Sequence, residues 1–182
     1  MKPTDEQAGA WTEAFESGKF VRKSSEFRDH IKSDGTFDVE SGRYHLYVSH
    51  ACPWAHRTLI TRTLLGLEDH ISVDVVDWRM NQNGSWSFNA EEEGATADTV
   101  NGESSLEGIY NLAFSGWNDS SRIGTVPVLW DRQHSTIVNN ESHEIVRMFD
   151  EFSKAGFGNG TSLSPTELRE EIDAMLDAIS TT

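Results

Sequence analysis

Between Gly42 and Ser49 the chain reads "GRYHLYVS", with apolar and aromatic positions alternating with polar ones as on a half-buried strand. A short polar turn follows, and "PWAHRTLITRTLLGL" begins at Pro53. Proline suits the first helical position and Gly66 suits the helix end. Trp54, Leu59, Leu64 and Leu65 fall loosely on one helical face. "ISVDVVDW", Ile71 to Trp78, predicts a second strand, so the run predicts a βαβ unit with a right-handed crossover. The pattern weakens from Arg79 to Arg122, where only "SSLEGIYNLAF" has a helical rhythm; connections this long are usually functional or partly disordered.

Regular patterning returns at "TVPVLWD", Thr125 to Asp131, a predicted strand containing Pro127. "STIVNN", Ser135 to Asn140, is its expected partner across a tight Arg132–His134 loop. "NESHEIVRMFDEF" predicts a helix capped by Ser142 or Asn140, with Ile145, Met148, Phe149 and Phe152 as the buried stripe. "KAGFGNGTSLSP" reads as a linker. A last helix is expected from "SPTELREEIDAMLDAIS", with Ser164 as cap, Pro165 at its first position and an apolar face of Leu168, Ile172, Met175 and Ile179. Three units follow: a wrapping extension over 1–37, a main domain over 38–153, and a linker with a helix start over 154–182.

The order βαβ, β-hairpin, helix is that of a thioredoxin-like α/β domain. In that fold a reactive cysteine sits after the first strand, at the start of the first helix. Orphan N–H groups and the helix dipole there favour a thiolate, the nucleophile of thiol–disulfide exchange. Cys52 occupies that place and is the one cysteine in 182 residues. Pro127 holds the place in the order where the fold puts a cis proline opposite the cysteine. The motif is Cys-Pro-Trp-Ala, so no second cysteine can resolve a mixed disulfide, and an external thiol must do so. Two other readings compete: a small buried hydrophobe, and a metal site formed with His45, His50 and His56.

Composition narrows the partners. Thirty Asp and Glu against 15 Lys and Arg leave a net charge of −15. Such a chain is not expected to bind nucleic acid, since phosphate contacts need the opposite sign. No run of 18 apolar residues suggests a membrane span, and Met1 to Ala10 is too polar for a secretory signal. A lone cysteine fits a reducing cytoplasm. Only five of the basic residues are lysines (Lys2, Lys19, Lys23, Lys32, Lys154). An acidic, lysine-poor surface is what salt-rich cytoplasms favour, so a halophilic host is expected.

The stretches "GKFVRKSSEFRDHI", "GRYHLYVSHACPWAHRTLITRTLLGLEDHISVDVVDW", "TVPVLWD" and "TIVNNESHEIVRMF" go further. On these, from about Gly18 to the last helix, the chain resembles the glutathionyl-hydroquinone reductases, the Xi class of the glutathione transferase superfamily. The resemblance implies a mixed-disulfide mechanism. Cys52 would attack the sulfur of a glutathionyl-hydroquinone, and a second glutathione would release the enzyme. By motif, Glu141 and Ser142 would hold the γ-glutamyl end and the Val126 backbone, before Pro127, would pair with the cysteinyl amide. Trp86 and Arg122 resemble further thiol-binding residues. Ser85 stands where the family carries Gly before this Trp-x-Phe element, and Asn83 to Asp119 is unusually acidic. The resemblance also implies a small thiol as cosubstrate and no bound cofactor, a quinone conjugate as substrate, and a homodimer for the full-length family form. In a halophilic archaeon the thiol would be γ-glutamylcysteine, which shares the γ-glutamyl and cysteinyl parts. Members have an all-helical C-terminal domain, of which only the first helix is expected here, as in a truncated form. A glutaredoxin-like deglutathionylase and a non-catalytic thiol-binding module are the alternatives.

The charge carries its own test. Thermal midpoints measured from dilute buffer to molar KCl should rise steeply, because salt screens the self-repulsion of an excess of 15 acids. A flat or falling trend would remove the halophile reading.

Overall fold

The computed structural model describes residues 25–81, 84–117 and 123–180. A four-stranded mixed sheet lies at its centre, in the order β2-β1-β3-β4. The strands are β1 (Tyr44–Val48), β2 (Ser72–Val75), β3 (Val128–Asp131) and β4 (Thr136–Asn139), and the helices are α1 (Pro53–Leu64), α2 (Leu106–Ala113), α3 (Ser142–Lys154) and α4 (Arg169–Ser180). β1 pairs with β2 in parallel, and β3 runs antiparallel to both β1 and β4. This is the expected thioredoxin-like arrangement, with β3 starting one residue after Pro127.

All five residues of β1 are buried, so both faces of the sheet are covered there. Alternation sends Tyr44, Leu46 and Val48 to one face. Tyr44 meets Phe152 of α3 edge-on at 5.9 Å, and α1 packs beside α3. Ile145, Met148, Phe149 and Phe152 form the buried stripe of α3 as expected. Within α1 the buried positions are Ala55, Thr58 and Thr61; of the expected face Leu65 is buried and Leu59 packs against the core, while Trp54 and Leu64 are exposed. The small side chains turn inward; Thr58 and Thr61 satisfy their hydroxyls on the carbonyls of Ala55 and Arg57. α1 ends at Gly66, whose φ of +67° and bonds Gly66 N–H to Thr63 O and Leu67 N–H to Arg62 O make a Schellman cap.

His45 and Tyr47 face the other side, beneath the weakly patterned stretch. Two carboxylates anchor its residues 99–103. Asp74 of β2 accepts the Thr99 N–H at 2.6 Å and its hydroxyl at 2.8 Å, and lies 3.1 Å from His45 Nε2. Asp98 accepts the Tyr47 hydroxyl at 2.8 Å and the N–H groups of Val100, Asn101 and Glu103. Short bridges Met80–Trp86 and Ser87–Ser105 then lead into α2.

Two caps differ from expectation. Glu141 is the N-cap of α3, and its side chain makes no capping bond; Asn139 Oδ1 takes the Glu141 N–H. The last helix begins with a 3-10 turn, Thr166–Leu168, and becomes α-helical only at Arg169, so Pro165 precedes the turn and Ser164 does not cap it. The linker is docked: Asn159 N–H and Nδ2 bond the carbonyls of Leu65 and Leu64, and a Cβ on Gly158 would lie 2.1 Å from Leu65 O. Within 25–37, Ile31 and Phe37 are buried in the core and Arg28 bridges Asn139. No helix among the described residues is long and apolar enough to cross a membrane.

At the far end of β1 from Cys52, Arg43 grips Asp131 of β3 with two bonds of 2.8 and 2.7 Å, both side chains buried. Burial alone would raise the Asp131 carboxyl; the bonds from Arg43, His134 and the Gln133 N–H outweigh it and hold the carboxyl below the ordinary carboxylate range. A depressed carboxyl stabilises the fold above its unfolded pKa of about 3.9, and that stability is lost as pH falls through the folded value. Asp131→Asn should therefore cost up to about 3–5 kcal/mol in urea unfolding at neutral pH, because the buried Arg43 loses its close carboxylate and keeps the Thr36 carbonyl and the more distant Glu40. The gap to wild type should narrow below about pH 4. A gap that stays constant down to pH 2 would contradict the pairing.

Candidate active site

The register of β1 on β3 pairs Tyr47 with Val128. Followed past the strand ends, the two chains bring the turn after β1 beside the residues before β3. Cys52 lies on that turn as the N-cap of α1, in extended conformation, with Pro53 at the first helical position. Its N–H bonds Ser49 O at 3.1 Å and its carbonyl accepts the His56 N–H at 2.9 Å. The thiol is half-buried against the core, and Sγ lies 3.5 Å from Val126 O. The Val126–Pro127 peptide is cis. Cys52, Val126 and Pro127 are thus together in one place.

Glu141 and Ser142 sit at the start of α3, both buried. The Glu141 carboxylate is engaged on each oxygen, by the Ser25 hydroxyl at 2.9 Å and by His143 Nδ1 at 3.0 Å. Ser142 Oγ is fully buried and makes no hydrogen bond to any of the described residues. A buried hydroxyl without a partner at an uncapped helix start is a place for a ligand acceptor, since the first-turn N–H groups and the dipole favour negative charge.

The two groups are joined by residues that the sequence reading did not single out. Tyr110 of α2 donates its hydroxyl to Thr125 O at 2.9 Å and accepts Asn140 Nδ2 at 3.0 Å. Thr125 precedes Val126, and Asn140 precedes Glu141. The only signal for Tyr110 in the sequence was an aromatic at helical spacing, which reads as core.

Trp86 is half-buried against the core, and its carbonyl accepts the Leu106 N–H at 2.9 Å. It stands on the stretch between β2 and α2 and makes no described contact with Cys52 or Val126. Arg122 lies outside the described residues. His50 and His56 flank Cys52 in sequence, yet no group of three His, Cys, Asp or Glu among the described residues could hold a metal. A groove between α1, α3 and α4 is lined by Ile60, Val146, Leu163, Ile172 and Leu176 together with Arg57, His143 and Arg147.

A lone cysteine at the first helix start of a thioredoxin-like sheet, opposite a cis proline, defines a class of thiol-handling proteins. The family model described as glutathione S-transferase, N-terminal domain, matches residues 51–151. Glutathione S-transferase omega-like 2 of Schizosaccharomyces pombe is 46% identical over 165 residues, spanning 88% of this chain and 51% of its own. Glutathionyl-hydroquinone reductase YqjG of Escherichia coli is 46% identical over 166 residues, spanning 87% and 49%. Among solved structures, the Xi class transferase from Natrialba magadii matches with a TM-score of 0.78 at 47% identity, over 89% of this chain and 51% of that one. The glutathione-bound structure of YqjG matches with a TM-score of 0.78 at 44% identity, over 86% and 52%. The chain belongs to the family of glutathione S-transferase N-terminal domains, and the relatives it resembles include Xi class transferases and glutathionyl-hydroquinone reductases. It spans about half the length of the curated relatives it matches.

The unpaired hydroxyl makes a prediction. Ser142→Ala should leave the thermal midpoint of the free protein at or slightly above wild type, because a buried hydroxyl without a partner contributes nothing and costs about 1–3 kcal/mol of desolvation. A drop of several degrees would show that the hydroxyl is used by the fold itself.

Proposed function

We propose that this chain is the thiol-handling part of a glutathionyl-hydroquinone reductase, with Cys52 as nucleophile. The contact that carries the proposal is Cys52 Sγ against Val126 O at a helix start. The chain of bonds from Thr125 through Tyr110 to Asn140 links that point to Glu141 and Ser142. In this reading the Val126 backbone pairs with the cysteinyl amide of the thiol. The Ser142 hydroxyl and the first N–H groups of α3 take the γ-glutamyl carboxylate, while Glu141 faces its ammonium. Trp86 and Arg122 complete the thiol subsite. Residues 38–153 form the thiol-binding domain, with 1–37 as its extension and 154–182 as the connection to a helical domain.

The Cys52 thiolate attacks the sulfur of the glutathionyl-hydroquinone. The S–S bond forms as the carbon–sulfur bond breaks, and the aromatic carbon leaves with the electron pair and takes a proton to give free hydroquinone. Glutathione thiolate then attacks the Cys52–glutathione disulfide, releasing oxidised glutathione and the Cys52 thiolate. The second step needs an external thiol because the chain has one cysteine. That thiol is glutathione or, in a halophilic host, γ-glutamylcysteine.

A second reading, reduction of glutathione mixed disulfides by the same cysteine, draws support from the groove. An apolar groove among the described residues is lined by Ile60 and Leu163 and does not include Cys52. A disulfide substrate needs no such groove at the cysteine.

Exposure to a glutathionyl-hydroquinone should add one glutathione per chain, seen by intact mass, with hydroquinone released in equal amount. Cys52→Ala should give neither product, and turnover surviving in it would refute the mechanism. Adducts formed from oxidised glutathione but never from the conjugate would move the assignment to the second reading.

A further inference from the structure

The β3–β4 ladder ends at the pair Leu129–Asn139, with a register irregularity between Leu129 and Trp130. Val126 lies three residues before that last pair, and Glu141 and Ser142 lie two and three after it. The β3–β4 ladder itself therefore does not span the two halves of the thiol site. A side chain does.

Tyr110 is completely buried. Its hydroxyl donates to Thr125 O at 2.9 Å and accepts the Thr125 N–H at 3.3 Å and Asn140 Nδ2 at 3.0 Å. Those bonds use the full donor and acceptor capacity of a phenol. Asn140 Nδ2 also reaches Thr125 Oγ1 at 3.4 Å, and the rest of Asn140 is held by Phe27 in a reciprocal pair, with Phe27 N–H on Asn140 Oδ1 at 3.3 Å and Asn140 N–H on Phe27 O at 3.1 Å. The ring itself is wedged between Phe27, edge-on at 5.7 Å, and Trp117 at 4.4 Å. The phenol is thus a fixed rod between the residue before Val126 and the residue before Glu141.

We infer that Tyr110 is a positioning residue, whose hydroxyl sets the distance between the Val126 backbone and the Glu141–Ser142 helix start so that one small γ-glutamyl thiol can bridge both. The inference rests on the reading of these residues as the thiol site. Tyr110 touches neither thiol nor Cys52 in this role. Its loss should loosen the grip on the thiol and leave the reacting sulfur's chemistry alone, since misplacement of about 1 Å is enough to weaken a two-point contact strongly.

The test uses S-methylglutathione, an unreactive thioether, with binding followed by calorimetry. The rate of mixed-disulfide formation from oxidised glutathione is followed in parallel. Tyr110→Phe should weaken S-methylglutathione about tenfold and raise the half-saturating oxidised glutathione similarly. The limiting rate should stay within about twofold, and Cys52 alkylation by iodoacetamide should not change. Asn140→Asp, which replaces the amide donor by a carboxylate oxygen, should behave alike and serves if the first variant folds poorly. Tyr47→Phe is the control. Its hydroxyl is equally buried, on Asp98 and Asn101, so it should lower the thermal midpoint and leave half-saturation unchanged.

Unchanged binding in both Tyr110→Phe and Asn140→Asp would overturn the inference while leaving the thiol site standing. Equal weakening in Tyr47→Phe would also overturn it, as general loosening of the fold. Failure of the wild-type protein both to bind S-methylglutathione and to take an adduct would remove the thiol site itself and the inference with it.

Discussion

The antiparallel register between β1 and β3 is the constraint on which the site depends. It is clamped at one end by Arg43 on Asp131 and read out at the other by Cys52 on Val126. A slip of one residue would send every β1 side chain to the opposite face. Tyr44 and Leu46 would then meet the polar layer, and His45 would face Phe152. Both faces are buried at β1, so no such slip is tolerated. The ion pair adds directionality that apolar packing lacks, because a bidentate guanidinium–carboxylate contact fits one alignment only. The turn carrying Cys52 is therefore placed by the sheet and needs little structure of its own.

The second layer over the sheet is built differently. From Arg79 to Trp117 the chain has few periodic apolar positions, and its residues 99–103 are anchored by buried carboxylates that gather N–H groups. Burial alone would raise the Asp74 carboxyl, but bonds from His45 and from the Thr99 N–H and hydroxyl prevail and hold it below the ordinary range. Asp98 does comparable work for Val100, Asn101 and Glu103 while tying them to Tyr47 under the sheet. The result positions α2, and with it Tyr110, against Thr125 and Asn140.

This difference explains what could be read from the sequence. β1, β2, the β3–β4 hairpin and α3 follow hydrophobic period and turn chemistry, and they appear within a few residues of the expected bounds. Cys52 and Pro127 were legible as a pair from the order of elements, and Val126 joined them through the family resemblance. The layer over Tyr47 was not, since a single aspartate that collects three N–H groups leaves no periodic trace. The inward face of α1 was only partly legible for a related reason. Ala55, Thr58 and Thr61 are buried because they let the helix approach closely; of the expected apolar positions Leu65 is buried and Leu59 packs on the core, while Trp54 and Leu64 stay exposed, so hydrophobicity gave only half of that face. Tyr110 was hidden by its own ring: an aromatic in a helix reads as core, and its function lies in the hydroxyl.

Glu141 and Ser142 show how two adjacent residues can stand in opposite states before a ligand arrives. The Glu141 carboxylate is already oriented by Ser25 and His143, so a cation meeting it would gain from an acceptor that no longer has to be ordered. The Ser142 hydroxyl is buried and has no partner among the described residues, so a ligand oxygen reaching it would remove an existing desolvation cost. One residue contributes preorganisation and the other contributes an unmet bond. Together they match the two charges of an amino-acid end, and a helix start that lacks a side-chain cap leaves its N–H groups for the carboxylate of that end. The absence of a cap at α3, which looked from the sequence like a place for Ser142 or Asn140, is thus part of the same arrangement: Asn140 is committed to Tyr110 and Phe27, and Ser142 is left available.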